Sequence, residues 1–248
     1  MMDSRPYIIC HMVTSIDGKV TGNFLSMPES VPACETYYEL NRKYKAMGAS
    51  GFICGRVTME ESFTGGWYPD LSDYAPMKKC CGYHMNFWLD DELLTGNYAI
   101  AFDPHGRLGW RSAFIEDSDP GYDKAQVIEV LSRDVDPRYL TYLESLGIPY
   151  FFAGEEDIDP QYALAYLCDH TDINCLLLEG GSIINGSFLR AGCVDELSLV
   201  VSPVIADKEA KPLFFDGELT AFELSGTDCT DGVAVMKYKI KENNDEQL

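Results

Sequence analysis

Three short polar segments each follow an apolar run of the kind that forms a buried strand. They are Gly55-Arg56-Val57-Thr58, Ser132-Arg133 and Gly180-Gly181-Ser182. Ligands of open α/β sheets bind at the carboxyl ends of the strands, so three segments at equivalent places favour one shared site. Glycine allows a ligand to approach the backbone closely, and the first amides of a helix attract negative charge. This pattern predicts a site for a phosphate-bearing ligand.

The segment 173–192 shows this pattern most completely. Residues 173–178 are apolar, a double glycine follows, and the amphipathic helix after it can end at Gly192. Glu179 lies between the strand and the double glycine, where its carboxylate could cap helix amides or bind a substrate. Many turns of this kind need glycine for geometry alone, so the segment by itself leaves a structural role open.

A second polar turn, Ser15-Ile16-Asp17-Gly18, follows the first apolar strand. Asp17 could shape this turn by bonding nearby backbone while Gly18 takes a positive φ, or it could contact a ligand. The sequence leaves both roles open.

The charge balance restricts the partners. The chain of 248 residues has 40 acidic and 19 basic residues and a formal net charge of −21. Binding to a nucleic-acid backbone depends on lysine and arginine, so we expect no nucleic-acid partner. An anionic cofactor would need local basic groups that offset this negative net charge, so each arginine is a candidate contact.

Nine cysteines occur without the spacing of a disulfide framework. The chain also shows no signal peptide and no long apolar span, so we expect a cytoplasmic protein without a membrane partner. Cys80, Cys81 and His84 lack a second ligand pair at zinc spacing, so we expect no metal site.

Strand and helix patterns alternate up to about residue 192, and strands dominate afterwards. Strands are predicted over residues 7–13, 52–54, 98–102, 127–131, 149–152, 173–178, 197–201, 221–225 and 233–240. Helices are predicted over residues 32–47, from a cap at Thr58, over 137–146, over 160–168 and after the double glycine. This order predicts an α/β fold with a mostly parallel mixed sheet, helices on both faces and antiparallel C-terminal strands.

We expect a single domain over residues 1–240, with an irregular insertion at about 64–97 and a disordered tail at 241–248. Long loops of this kind usually serve function or assembly. The aromatic residues of the insertion suit a protein interface or packing against the core: Trp67, Tyr68, Tyr74, Tyr83, Phe87 and Trp88.

These motifs, in this order, resemble the reductase domain of bacterial riboflavin-biosynthesis proteins, the RibD C-terminal domain family, which has the dihydrofolate-reductase fold. The resemblance rests on Ser-Ile-Asp-Gly at 15–18, Gly-Arg-x-Thr at 55–58, Leu-Ser-Arg at 131–133, Glu-Gly-Gly at 179–181 and Pro-Val-Ile at 203–205. It covers nearly the whole chain and is weakest at about residues 63–98. It implies a dihydrofolate-reductase-like three-layer α/β/α domain, an NADPH-dependent oxidoreductase and a homodimer.

The resemblance also implies which residues bind. For the cofactor NADPH they are Thr14, Arg56, Thr58, Ser132, Arg133, Gly180, Gly181, Ser182, Ile183 and Ile184, and for the substrate they are Ser15, Asp17 and Glu179. Arg133 would lie near the adenosine 2′-phosphate and favour NADPH over NADH, because a guanidinium pairs bidentately with phosphate. The structural alternatives are a solvent-exposed arginine at Arg133 and a surface ion pair at Arg56.

The implied reaction is hydride transfer to a small heterocycle, a pyrimidine ribosylamine 5′-phosphate whose ribosyl group becomes ribityl. Opening of the sugar gives an imine that is ready to accept hydride, so we assign no catalytic residue. The family carries an arginine after its threonine turn that engages cofactor and substrate, whereas here no arginine lies between Arg56 and Arg107. Lys78 or Lys79 could replace it, and a reductase of the same family with another substrate stays open.

Other functions need other features. A dihydrofolate reductase needs a buried carboxylate on the first long helix, for which Glu35 or Glu39 could be proposed. A non-catalytic nucleotide-binding protein would bind the cofactor without turnover. A serine hydrolase around Ser182 is excluded, because the nucleophile elbow needs glycine at the position of Ile184.

Overall fold

The strands of the structure, a computed structural model that describes residues 5–90, 93–230 and 232–241, join into one sheet. Numbered along the chain, they are β1 (Tyr7–Thr14), β2 (Gly51–Gly55), β3 (Tyr98–Phe102), β4 (Gln126–Leu131), β5 (Tyr150–Phe152), β6 (Cys175–Leu178), β7 (Glu196–Val201), β8 (Phe222–Thr230) and β9 (Val233–Ile240). The helices are α1 (Val31–Ala46), α2 (Arg56–Met59), α3 (Pro137–Leu146), α4 (Pro160–His170) and α5 (Ser182–Arg190).

The strand order is β5-β4-β3-β2-β6-β1-β7-β9-β8. Strands β1 to β7 pair in parallel, and β9 pairs antiparallel with both β7 and β8. This arrangement confirms the predicted mostly parallel mixed sheet with antiparallel strands at its end. Because the parallel strands run in one direction, their carboxyl ends meet along a single edge, where the predicted binding segments lie.

Helices cover both faces of the sheet. Ile8 belongs to the core beneath α4 and α5, which also contains Leu164 and Phe188. Its neighbour Ile9 belongs to the opposite core, beneath α1 and α3, with Tyr44 and Tyr139. Successive side chains of a strand point to opposite faces, so β1 is apolar throughout because both of its faces are buried. The three layers are therefore helices, sheet and helices.

Most predicted element bounds agree with the structure to within one or two residues. Asp159 caps α4, since its carboxylate accepts hydrogen bonds from the amides of Gln161 and Tyr162. The predicted strand at 221–225 is too short, because a bulge between Leu224 and Gly226 lets β8 continue its pairing with β9. No helix in the described part of the chain is long and apolar enough to cross a membrane.

The expected cap at Thr58 is wrong. Helix α2 begins at Arg56, with Gly55 as its N-cap, so Thr58 lies within the helix. The turn occurs earlier because Gly55 ends β2 with extended backbone and is itself the N-cap, so the chain becomes helical at the next residue. A π-helical turn, Glu60–Thr64, continues α2.

The described residues of the segment 64–97, which are 64–90 and 93–97, run mainly without regular structure, apart from a short helical turn at Leu71–Asp73. This segment joins the sheet through a bridge between Phe87 and Tyr150, which covers the outer edge of β5. Its aromatic rings pack mainly on the core: Tyr68 on Tyr139, Tyr74 on Tyr142, Phe87 on Tyr150 and Trp88 on Phe151. Tyr83 is the most exposed of these rings, at 63%, and Trp67, at 38%, lies under the guanidinium of Arg111. The tail at 242–248 lies outside the described residues.

A buried carboxylate lies in the core beneath α3. Oε1 of Glu129 accepts hydrogen bonds from the indole of Trp110 and, at 3.1 Å, from the hydroxyl of Tyr139. Oε2 has no hydrogen-bond partner among the described residues. Burial, followed by the nearby charge of Asp103, raises the pKa of Glu129 well above its ordinary value. Glu129 therefore holds a proton more tightly in the folded than in the unfolded chain.

We expect Glu129→Gln to reduce the pH dependence of folding. A raised folded pKa stabilises the protein below the unfolded value of about 4.3, and this stability is lost as the pH rises toward the folded value. As the pH rises from 5 to 8, the free energy of unfolding of the wild type should therefore fall relative to that of the variant. Urea unfolding of both proteins at these pH values measures the difference, and parallel pH profiles would contradict the account.

Candidate active site

The double-glycine loop after β6 contacts the turn after β2. The amide of Gly55 donates to the carbonyl of Gly180 at 2.8 Å. A Cβ built on Gly181 would lie 3.4 Å from Oγ1 of Thr58, and a Cβ on Gly180 would lie 3.0 Å from Cε of Met12. Gly180 has a φ of 90°, and the peptide bond between the two glycines is cis. Two of the three predicted phosphate segments are thus adjacent.

Helix α5 begins directly at this loop. Its N-cap, Gly181, supplies no side-chain hydrogen bond to the first amides. Ser182 does not fill this place either, because it is buried and its hydroxyl donates to the carbonyl of Pro212. Ile184 is buried, whereas Ile183 is exposed at the helix start. The open amides and the small glycines fit a bound phosphate, since a helix N-terminus favours negative charge.

Arg56 is engaged within its own helix. Its Nη1 atom donates to Oε2 of Glu60 at 2.6 Å, an i,i+4 ion pair on a partly exposed surface. The surface ion pair that the sequence left open for Arg56 is therefore present. A phosphate would have to draw the guanidinium away from this carboxylate.

Ser132 is a loop-forming residue in the structure. It is buried, and both its amide and its hydroxyl donate to the carbonyl of Pro104, at 2.9 and 2.7 Å. Its oxygen also accepts the amide of Asp134 at 3.3 Å. These contacts fix the chain so that the next residue, Arg133, points outward.

Arg133 lies at the far end of the same sheet edge. Its guanidinium lies over the rings of Phe152 and Tyr83, at 5.0 and 5.5 Å, and its Nε atom is 3.6 Å from Glu155. Strand β4 is three positions from β6 in the sheet, which corresponds to about 14 Å. Arg133 therefore does not contact the double-glycine loop but could bind another part of an extended ligand.

The turn after β1 is held by its own side chains. Oδ1 of Asp17 accepts the hydroxyl of Ser15 at 2.7 Å and the amide of Ala206 at 3.0 Å. These bonds, that from Ser15 first, lower the pKa of Asp17. Gly18 has the expected positive φ, at 74°, and Thr14 is buried at the end of β1. Turn formation thus accounts for the position of Asp17, beside the double-glycine loop because β1 and β6 are neighbours.

Glu179 is a buried carboxylate at the centre of the site. Its Oε1 accepts Nδ2 of Asn41 at 2.7 Å, and its Oε2 accepts the hydroxyl of Tyr122 at 3.0 Å. It does not cap α5, so this alternative is wrong. Burial raises its pKa to about 7, and the hydrogen bonds from Asn41 and Tyr122 and the charge of Lys45 act in the opposite direction.

Sequence inspection missed the partners of Glu179. Asn41 lies fully buried on α1 within the predicted helical stripe that contains Tyr37 and Tyr44, where a polar residue is itself a signal. Tyr122 comes from an irregular segment without periodicity, so only the three-dimensional structure reveals it. Lys45 reaches the same region, with Nζ 6.0 Å from the centre of the Tyr122 ring.

The alternative carboxylates on α1 do not reach the site. Glu35 and Glu39 are both exposed, and the residue of this helix that meets Glu179 is Asn41. The feature that a dihydrofolate reductase would need on this helix is therefore missing from both proposed positions.

A wider concavity of about 730 Å³ lies at the opposite edge of the sheet. It adjoins the amino ends of β2 and β3 at Ser50 and Tyr98, and two carboxylates, Asp169 and Asp172, line it. Ligands of parallel sheets bind at the carboxyl ends, and these acidic groups would repel a phosphate. The edge that carries Glu179 is therefore the better candidate.

Comparison with known proteins bears on the family and on the fold. Residues 121–235 match the family model of the RibD C-terminal domain. The resemblance to this family is confirmed. The riboflavin biosynthesis protein RibD of Bacillus amyloliquefaciens is 32% identical over 83 residues, which are 34% of this chain and 22% of that protein. A 2,5-diamino-6-ribosylamino-4(3H)-pyrimidinone 5′-phosphate reductase of Aquifex aeolicus (strain VF5) is 35% identical over 79 residues, 32% of this chain and 35% of that protein.

The match thus spans only about a fifth to a third of the length of these curated relatives. Similarity to solved structures covers nearly the whole chain. A pyrimidine reductase-like protein from Corynebacterium diphtheriae superposes with a TM-score of 0.66 at 18% identity, covering 96% of this chain and 93% of that one. Acinetobacter baumannii RibD gives a TM-score of 0.63 at 18% identity, covering 96% and 58%. The fold class predicted from the sequence is confirmed.

We expect Tyr122→Phe to raise the pKa of Glu179 above its value of about 7. The variant removes a hydroxyl that donates to the carboxylate, and losing a donor disfavours the charged form. Infrared difference spectroscopy of the carboxyl band across a pH titration measures the shift. Tyr38→Phe is the control, because the Tyr38 ring packs on Tyr122, whereas the tyrosines that hydrogen-bond the Glu179 carboxylate are Tyr122 and Tyr37. An unchanged midpoint in Tyr122→Phe would contradict this description of the site.

Proposed function

We propose that this chain is an NADPH-dependent reductase that transfers hydride to a pyrimidine ribosylamine 5′-phosphate and converts its ribosyl group to a ribityl chain. One observation carries the proposal. The double-glycine loop, the Gly55–Thr58 turn and the buried carboxylate of Glu179 come together at the carboxyl ends of β1, β2 and β6. The named activity of the Aquifex aeolicus relative supports this choice of substrate.

The pyrophosphate of NADPH would bind at the start of α5. Gly180 and Gly181 place no side chain beside the start of α5, so a phosphate can approach the backbone closely. The unfilled amides of α5 supply donors, and the Thr58 hydroxyl lies beside them. Bound here, NADPH supplies the hydride of the reaction.

Arg133 would bind the adenosine 2′-phosphate. Ser132 is occupied by backbone contacts, so Arg133 carries the recognition at this end of the site. Its only charged contact among the described residues is with Glu155, whose side chain is 83% exposed and free to move aside. A bidentate guanidinium–phosphate pair would then favour NADPH over NADH.

Glu179 would orient the substrate. Its oxygens accept hydrogen bonds from Asn41 and Tyr122, with Tyr37 as a further partner, and a carboxylate offers about four acceptor sites, so it can still accept an N–H group of a pyrimidine. With a pKa of about 7, the carboxyl group can hold or release a proton at Oε1 or Oε2 near neutral pH. The turn at Ser15 and Asp17 would form the neighbouring wall, with Asp17 acting through the shape of the loop.

The proposal includes a cytoplasmic homodimer. Strand β8 forms the outer edge of the sheet, and Leu224 on it is 54% exposed. An open edge with an apolar side chain suits pairing with a second copy. Analytical ultracentrifugation of the wild type tests this part, and a monomer at micromolar concentration would contradict it.

We expect wild-type protein to bind NADPH more tightly than NADH, and Arg133→Ala to lose roughly tenfold or more of that preference, since a charge-assisted hydrogen bond contributes about 1.5–3 kcal/mol. Nicotinamide fluorescence titration measures both affinities. Arg138→Ala is the control, because Arg138 is also an exposed arginine and lies at the start of α3. Equal affinity of the wild type for both cofactors would exclude the assigned role of Arg133.

Turnover tests the substrate. We expect NADPH oxidation with the pyrimidine ribosylamine 5′-phosphate, and a kcat/KM at least about tenfold lower for Glu179→Gln, which removes the charge but keeps the shape. NADPH binding in this variant should be retained. Tight NADPH binding without any turnover would identify a reductase for another substrate or a non-catalytic protein.

A further inference from the structure

A tight hairpin of the irregular segment reaches the end of β4. The amide of Cys80 donates to the carbonyl of Tyr83 at 2.8 Å, and the amide of Tyr83 donates to the carbonyl of Cys80 at 3.1 Å. Cys81 and Gly82, with φ of 52° and 90°, form the two-residue turn between them. The geometry defines a fixed hairpin at residues 80–83.

The chain after this hairpin is attached to the sheet. Phe87 and Tyr150 exchange backbone hydrogen bonds of 3.0 and 2.9 Å, and Asn86 accepts the amide of Phe152 at 3.2 Å. Residues 79–87, here called the edge segment, therefore keep a defined position along β5. The sequence of the edge segment does not predict this position, because the segment pairs with β5 through a single bridge and has no strand pattern.

The edge segment and the end of β4 enclose a cleft of about 180 Å³. Lys79, Gly82, Tyr83 and His84 line it from one side, and Arg133, Phe152 and Glu155 line it from the other. The carbonyl of His84 accepts Nη1 of Arg133 at 3.3 Å. The Arg133 guanidinium is thus held between Tyr83 and Phe152.

The cleft carries two cations and one carboxylate, in a chain whose formal net charge is −21. Burial lowers the pKa of His84, and the charges of Lys79 and Arg133 lower it further. Both cations line the same cleft of about 180 Å³, which brings their charges into one small space. Holding two cations side by side costs energy unless an anion lies between them. Only Glu155, which is largely exposed, offsets them among the residues that line the cleft.

We propose that Lys79 and Arg133 together bind the adenosine 2′-phosphate of NADPH, with Tyr83 holding the guanidinium in place. This inference rests on the proposed function and adds to it, because it makes the edge segment part of the cofactor site. Lys79 supplies a charge on a flexible side chain, whereas Arg133 supplies a planar guanidinium that can donate two parallel hydrogen bonds to a phosphate. It also gives Lys79 a role at the adenosine end of the site and not at the phosphate of the substrate.

The affinities for four nucleotides test the proposal. Titration of wild type, Lys79→Ala and Lys78→Ala with NADPH, NADH, adenosine 2′,5′-bisphosphate and AMP measures them. Lys78 is the matched control, because it carries the same charge one residue away and does not line the cleft. Lys79→Ala should raise the Kd for NADPH and for the bisphosphate roughly tenfold. It should change the Kd for NADH and for AMP less than about twofold. Both lysines are exposed, so we expect both variants to fold.

A double-mutant cycle separates direct binding from a general effect of charge. If Lys79 and Arg133 share one phosphate, the loss in Lys79→Ala/Arg133→Ala should differ from the sum of the single losses. Tyr83→Phe should keep wild-type NADPH affinity, and Tyr83→Ala should lower it, because the ring holds the guanidinium. Equal effects of Lys79→Ala and Lys78→Ala, or equal weakening of NADPH and NADH, would overturn the inference and leave the proposed reductase intact. Failure of the wild type to bind NADPH would instead overturn the proposed function, and the inference with it.

Discussion

The insertion of β6 between β1 and β2 is the constraint on which the site depends. The ladder continues past the end of β6, because the amide of Glu179 donates to Ile53 at 2.9 Å and Gly55 donates to Gly180 at 2.8 Å. These bonds fix the double-glycine loop, although it is not part of the strand. The start of α5 then faces the carboxyl edge of the sheet, where both neighbouring strands also end. Phosphate recognition by open amides requires this fixed geometry.

The buried carboxylate adds a second constraint. Removing Glu179 from water disfavours its charge, and the protein offsets this cost with one donor on each oxygen, Asn41 and Tyr122. These donors come from α1 and from an irregular segment, so helix, loop and strand must be correctly placed for the carboxylate to keep a pKa of about 7. The same network leaves acceptor capacity for a substrate. Stability and the proposed function thus depend on the same side chains.

Much of the fold follows from the sequence, because buried parallel strands are apolar on both faces and helix ends carry strong local signals. Asp159 and Pro160 predict the start of α4, and the bounds of α3 agree at both ends. The sequence also predicts that the Gly55–Thr58 turn and the double-glycine loop share one sheet edge, and they are adjacent in the structure. Tyr122 and the edge segment could not be predicted, because long-range packing and not local periodicity fixes them. Thr58 shows the same limit, because α2 begins where β2 ends, at Gly55, and not at the local cap signal.

A crystal structure of the protein with NADP⁺ tests the central claim most directly. The account predicts pyrophosphate oxygens within about 3.2 Å of the amides at the start of α5, and the nicotinamide on the side of β1 and Glu179. The adenosine end should lie across β2 and β3, toward Arg133. A cofactor bound at the opposite edge of the sheet, near Ser50 and Tyr98, would contradict the account.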